Sequence, residues 1–311
     1  MNEFQLIAQL TRSVPSNSAV VVGPVDDCAV LDLGGDRQLL LKTDAVVEGI
    51  HFTANTEPER IGHKALARCL SDIAAMGGTP TAALITLGLP KDFDAARVER
   101  IYAGLNALAV RTGTAIVGGE TTTNPDRLLI SVSVLGTVPR SQALLRSGAK
   151  VGDAVFVSGE LGGSLQGRHL DFEPRLAEGA WLAESGLVHA MMDLSDGLAG
   201  DLRHILQASG VGAELLSRSI PITRDARAQS KGDSSSKPPL LAALTDGEDF
   251  ELVFTAASRD AVAVLDGWKA KFPEVRLTCI GRITEEPGLR LRDERGLRGF
   301  DVGGYVHFQG N

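Results

Sequence analysis

The chain has 311 residues, 43% of them hydrophobic and 23% charged, which suits a globular protein with one large domain or two of ordinary size. A formal net charge of −8, with only two Trp and two Tyr, argues against nucleic-acid and anionic-membrane partners, which call for basic patches and stacking aromatics. Three dispersed cysteines (Cys28, Cys69, Cys279) without a C-x-x-C pair argue against a disulfide framework or a zinc site.

The N-terminus is too short and polar for a signal peptide, and no apolar run approaches membrane-spanning length, so the expected location is cytoplasmic. Helical spacing over 3–10 predicts a first helix. Short strands at 19–22 and 29–33 flank the acidic pair Asp26-Asp27, and 37–44 reads as a third strand. Residues 58–78 form a strongly amphipathic pattern, with Ala65, Cys69, Ile73 and Met76 on one stripe and Gly77-Gly78 as the stop. A strand at 81–90, a long helix at 95–113, a short strand at 114–123 and a longer one at 127–138 complete a β–α–β–α–β alternation. That order predicts a layered α/β or α+β domain.

The pattern changes at 139–153, giving expected domains at 1–138 and 139–311. In the second, a strand runs into a glycine-rich turn at 154–168, and a helix at 193–210 buries Leu198, Leu202 and Ile205 and ends at Gly210. Residues 224–239 are polar and of low complexity and read as a mobile loop. Strands at 250–255 and 276–284 follow. No internal repeat is evident.

There is no P-loop, no H-E-x-x-H, no G-x-S-x-G and no kinase-type H-R-D. What remains is a set of acids at element ends. Asp44 ends a strand, Asp72 lies on the apolar stripe of its helix, and Glu120 follows Gly118-Gly119. Asp193 and Asp196 open a helix, and Glu248, Asp249 and Glu251 crowd the start of a strand. Singly, each has a structural explanation: a helix N-cap for Asp193, Ser195 or Asp196, a solvated turn for Asp26-Asp27, an exposed strand edge for the Glu248 group. Together, oxygen ligands beside glycines suit Mg²⁺ with a phosphorylated ligand, because the glycines let backbone N–H groups approach phosphate.

The motifs "VDDCAVL" (25–31), "TDAVVEGIHF" (43–52), "KALARCLSDIAAMGG" (64–78), "GGETT" (118–122), "RSGAKVGD" (146–153), "MDLSDGLAGDL" (192–202), "GEDFEL" (247–252) and "GYVHF" (304–308) occur in this order. In these the chain resembles the thiamine-monophosphate kinase family, of the superfamily that includes aminoimidazole ribonucleotide synthetase, selenophosphate synthetase and a hydrogenase-maturation dehydratase. The resemblance implies a two-domain α/β protein. Its N-terminal mixed sheet would pair across a homodimer, its C-terminal domain would be α/β, and the active site would lie in the cleft between them.

It implies Asp27, Thr43, Asp44, Asp72, Glu120, Asp193 and Asp196 as ligands of several Mg²⁺ ions. Gly119, Glu120, Arg146 and Ser195 would meet ATP, and His51, Glu248 and Tyr305 would meet thiamine monophosphate. The implied reaction is phosphorylation of thiamine monophosphate to thiamine diphosphate. A phosphate acceptor is already anionic near neutral pH, so no general base is implied.

Four positions depart from the family pattern. A glycine before the acidic pair is replaced by Pro24-Val25, a Ser or Thr by Lys42, an Asp by Glu120, and a Gly by Asp246. Lys42 either brings a cation to the metal cluster or points away from it. Selenophosphate synthetase and the maturation enzyme would want cysteines that this chain lacks. Two alternatives stay open: a ligase like aminoimidazole ribonucleotide synthetase, and a degenerate non-catalytic binder of nucleotide or thiamine phosphate.

Overall fold

The structure is a computed structural model that describes residues 3–232 and 237–305. Part of the expected loop at 224–239 and the last three residues of "GYVHF" lie outside them. The chain divides into two compact units, one of Ala19–Ala143 with Gly167–Ala180, the other of Met1–Ser18, Leu144–Gln166 and Trp181–Asn311.

The elements run in chain order from a first helix, α1 (Glu3–Thr11). Then come β1 (Val20–Val22), β2 (Ala29–Leu31), β3 (Arg37–Val47), α2 (Pro58–Ala75), β4 (Thr79–Leu89), α3 (Ala95–Thr112), β5 (Ala115–Thr123) and β6 (Leu129–Pro139). The strands of this first unit form one six-stranded mixed sheet ordered β1-β2-β3-β6-β4-β5. β3 pairs antiparallel with β6 along its whole length, β6 pairs antiparallel with β4, and β5 lies parallel to β4 at one edge.

Alternation along β3 decides what faces inward. Gln38, Leu40 and Val46 are buried on one face while Leu41 and Thr43 are exposed on the other. α2 covers the inward face with Ala65, Cys69, Ile73 and Met76, all fully buried. Pro58 opens the helix at a position where its missing N–H costs nothing, and Gly77, at φ +69°, turns the chain out of it. α3 packs on α2 through a glycine contact. A Cβ on Gly62 would stand 1.9 Å from the Ile101 oxygen and one on Gly104 would stand 1.8 Å from the Glu59 oxygen.

The second unit holds a seven-stranded sheet ordered β13-β12-β9-β11-β7-β10-β8. Its strands are β7 (Asp153–Ser158), β8 (Val188–Asp193), β9 (Gly212–Leu216), β10 (Leu252–Ala257), β11 (Leu277–Thr284), β12 (Gly288–Asp293) and β13 (Gly296–Gly299). Pairing is antiparallel except between β12 and β9. Its helices are α1, α5 (Leu198–Ser209), α6 (Arg224–Gly232), α7 (Pro239–Thr245) and α8 (Ala261–Lys271), while α4 (Leu176–Ser185) contributes its C-terminal half. Every residue of β7 is buried, and Leu198, Leu202 and Ile205 of α5 enter the main core, as their spacing predicts. Trp181 and Phe272 pack edge-on against the buried Trp268, whose Nε1 donates to the Val275 oxygen at 2.7 Å.

Two expectations change. Residues 224–232 are helical rather than loop: Thr223 Oγ1 accepts the Ala226 N–H at 3.1 Å and Ala226 is buried, anchoring a turn that polar composition hides. The helix predicted from 193 begins only at Leu198. Among the described residues, no helix is long and apolar enough to cross a membrane.

Candidate active site

In the first unit, the acidic pair sits on the turn joining β1 to β2. Val25 N–H donates to the Gly23 oxygen across Pro24 at 2.9 Å, a three-residue turn whose central φ suits proline. No residue of 23–27 has a positive φ, so Pro24-Val25 forms this turn without the left-handed backbone that would call for a glycine. Asp26 Oδ1 accepts the Asp27 N–H at 3.1 Å, which orients the turn and leaves Asp27 buried. The next residue, Cys28, is fixed to α2 by its N–H on the Met76 sulfur at 3.1 Å.

That turn delivers Asp27 to Asp72. Both carboxylates are buried, with oxygens within 4.8 Å of one another. Asp44 joins them from β3, on the same face as Lys42. The Lys42 Nζ lies 2.8 Å from Asp72 Oδ1 and 3.9 Å from Asp44 Oδ1, and Arg68 Nε lies 3.7 Å from Asp44 Oδ2. Of the two orientations open to Lys42, the structure has the one that enters the cluster. Burial acts to strip its proton, but Asp72 and Asp44 outweigh it and hold the ammonium well above the ordinary lysine value. Burial pushes the thiols of Cys28 and Cys69 up, and neighbouring carboxylates push them further, so neither is a reactive thiolate.

Other expected residues are placed differently. The Thr43 side chain lies on the opposite face of β3, where its Oγ1 donates to the Val132 oxygen at 3.2 Å and accepts from Ser133 Oγ at 3.0 Å. Its hydroxyl is therefore not part of the cluster, and only its main chain is on hand there. Gly119 shares a sheet row with Asp44 (Asp44, Val132, Ile85, Gly119), and Glu120 is on the next row. Three strand spacings separate β3 from β5, about 14 Å, so Glu120 and Asp44 do not share one ion within a chain. Glu120 Oε1 instead accepts the N–H of Thr121 at 3.0 Å. The Gly119 position tolerates no side chain, since a Cβ would stand 1.8 Å from the Ile85 oxygen. His51 accepts the Val47 N–H at Nδ1 (3.0 Å), which places the proton of the neutral ring on Nε2.

In the second unit, Asp193 ends β8 and is buried. The turn 194–197 then leads into α5. Neither Asp193, Ser195 nor Asp196 is the N-cap: Gly197 holds that position without a side-chain cap. The carboxylate of Asp201, inside the helix, accepts the N–H groups of both Asp196 and Gly197 at 3.0 Å. Burial, then the charges of Asp196 and Asp193, push the Asp201 carboxyl well above the usual range, and Arg146 opposes them.

Main-chain bonds gather the rest around this turn. Glu248 N–H donates to the Ser195 oxygen at 2.7 Å, Phe250 N–H to the Leu194 oxygen at 2.8 Å and Tyr305 N–H to the Asp196 oxygen at 2.8 Å. The Glu248 loop is held in a strained form, with Glu248 at φ +63° and Phe250 at φ +49°. Its neighbours brace it: Asp249 accepts the Gly162 N–H with both oxygens (2.9 and 3.1 Å), and Glu251 accepts Ser158 Oγ at 2.6 Å. Asp249 and Glu251 thus tie the loop down, while Glu248 stays partly exposed.

Arg68, Lys64 and Asp201 were not among the expected site residues. The first two had a signal, since Lys64, Arg68 and Asp72 recur at i, i+4, i+8 beside the apolar stripe of α2. Lys64 is fully buried and donates to the His51 oxygen at 2.7 Å.

Residues 25–138 match the family model of AIR synthase related protein, N-terminal domain, and residues 165–294 that of AIR synthase related protein, C-terminal domain. The chain is 40% identical to the thiamine-monophosphate kinase of Rhodopirellula baltica, over 96% of this chain and 93% of the relative. It is 36% identical to that of Escherichia coli, over 98% of each. The solved structure of AaThiL complexed with AMPPCP and TMP is similar at 32% identity with a TM-score of 0.82, covering 99% of this chain and 97% of the other.

Proposed function

Because the chain belongs to the thiamine-monophosphate kinase family, within the AIR synthase related proteins, we propose that it transfers the γ-phosphoryl group of ATP to the phosphate of thiamine monophosphate. One observation carries this reading beyond kinship: Asp27, Asp44 and Asp72 converge in a chain that has no Walker lysine to hold phosphate. The donor set fits a hard divalent cation. The Asp27 and Asp72 oxygens, within 4.8 Å of one another, are close to the span of two Mg²⁺–oxygen bonds of about 2.1 Å each. Three carboxylates facing two cations, Lys42 and Arg68, leave an excess of negative charge.

In this proposal Asp27, Asp44 and Asp72 of the first unit, and Asp193 and Asp196 of the second, hold Mg²⁺. Thr43 serves through its main chain, and Glu120 serves a position separate from Asp44 within the same chain. Bound Mg²⁺ would neutralise the phosphates and align the in-line displacement. The acceptor phosphate has a second pKa of about 6 and arrives ionised, so the protein's work is positioning. Gly119 leaves room for close approach to the nucleotide, and Ser195 and Arg146 bind its phosphates. His51 offers Nε2–H, and with Glu248 and Tyr305 it orients thiamine monophosphate.

The homodimer belongs to the same proposal. The face of the six-stranded sheet opposite α2 exposes Leu41 (44%) and Leu84 (48%), and Val117 is 62% exposed on the edge strand β5, an apolar surface suited to a second copy.

The test is formation of thiamine diphosphate and ADP by purified protein with ATP, thiamine monophosphate and saturating Mg²⁺. Asp44→Asn should lose about 10²-fold or more of this activity while melting normally, because its ion contacts are the long ones in the cluster. Protein that is stabilised by ATP and thiamine monophosphate but makes no ADP would be a non-catalytic binder. Turnover with an aminoimidazole precursor instead would mark the ligase.

A further inference from the structure

We infer that Lys42 is a tethered cation competing with a divalent ion for Asp72 and Asp44, so that the nucleotide-free chain binds one metal fewer than its carboxylates would otherwise take. The inference rests on the metal-dependent reading above. Its geometry is direct: Nζ lies 2.8 Å from Asp72 Oδ1 and 3.9 Å from Asp44 Oδ1, between the side chains that an ion would bridge. The strand gives it no other face, since Lys42 alternates with Leu41 and Thr43, whose side chains lie on the opposite side of β3.

An ammonium at hydrogen-bond distance from Asp72 Oδ1 and a Mg²⁺ at about 2.1 Å from the same oxygen would repel strongly in this half-buried setting. They therefore exchange rather than coexist. The side chain is equipped for exchange: its four-carbon stem is flexible, and 23% of it remains exposed. In the metal-free protein Lys42 offsets part of the charge of Asp27, Asp44 and Asp72 and so preserves the fold. When Mg²⁺ arrives with its nucleotide, Lys42 must move aside. Metal loading would then depend on nucleotide more steeply than the carboxylates alone require.

The experiment compares wild type with Lys42→Met, Lys42→Thr and Lys42→Arg, all without nucleotide. Bound Mn²⁺ is counted from the loss of its free electron paramagnetic resonance signal, and melting temperatures are taken in EDTA and in saturating Mg²⁺. Lys42→Met and Lys42→Thr should bind about one more Mn²⁺ per chain than wild type, and Lys42→Arg should match wild type. In EDTA the two neutral variants should melt roughly 5 °C lower, because carboxylates lose their counter-charge, and Mg²⁺ should close that gap. A melting deficit that Mg²⁺ leaves untouched would make Lys42 a structural residue only and overturn the inference. Equal Mn²⁺ counts in variants that still make thiamine diphosphate overturn it alone. No Mn²⁺ binding by any of the four proteins overturns the metal-dependent reading with it.

Discussion

Asp201 illustrates how a single buried carboxylate holds an acidic turn in shape. It accepts the N–H groups of Asp196 and Gly197, so the turn that presents Asp193, Ser195 and Asp196 is fastened from inside α5. The arrangement has a cost, because burial and the neighbouring charges of Asp196 and Asp193 raise its pKa in the folded protein. A carboxyl with a raised folded pKa binds protons more tightly when folded. Stability is therefore lost as pH rises from the unfolded value of about 3.9 through the raised folded value. Asp201→Asn keeps an acceptor oxygen and removes the charge. In EDTA, its stability relative to wild type should rise between pH 4 and pH 7.5, as followed by urea denaturation at each pH. A difference that stays flat or shrinks would mean that Asp201 is not the strained group.

At the scale of elements, the contact between α2 and α3 depends on two glycines rather than on the apolar stripe that predicts the helices. A methyl group at residue 104 would enter the Glu59 carbonyl of the facing helix, so the backbones must separate to admit it. Gly104→Ala should cost about 2–4 kcal/mol in chemical denaturation, although alanine is the better helix former by about 1 kcal/mol. A stabilised variant would show that the helices slide apart freely. The helices themselves were legible because 3.6-residue periodicity is strong from 58 to 75 and from 95 to 112.

The acids at element ends stand out in the sequence, and the structure sets Asp27 beside Asp72, with the Lys42 ammonium between Asp72 and Asp44. What could not be read was direction. Strand alternation separates Thr43 from Asp44, and a three-strand offset separates Glu120 from Asp44, yet both depend on pairing partners remote in sequence. The start of α5 was misread for a related reason. Asp193, Ser195 and Asp196 look like N-caps, whereas the N–H groups there go to a carboxylate inside the helix itself.

For the whole molecule, the six-stranded sheet raises the question of its uncovered face. The inward face is closed by α2, but Leu41 and Leu84 lie exposed on the other side, and β5 is an edge strand. Large apolar side chains on one face of a sheet are costly to leave in water, at about 25 cal/mol per Å². Edge strands also invite pairing with another chain. A second copy of the same sheet satisfies both, and a twofold interface would set this face against its own counterpart. Leu41→Lys with Leu84→Lys places two charges on that face without touching the inward core, since the alternate residues Leu40, Ala83 and Ile85 stay buried. Sedimentation equilibrium at micromolar protein should then find a dimer for wild type and a folded monomer for the double variant. A wild-type monomer that makes thiamine diphosphate at the full rate would remove the dimer from the proposal and leave the chemistry standing.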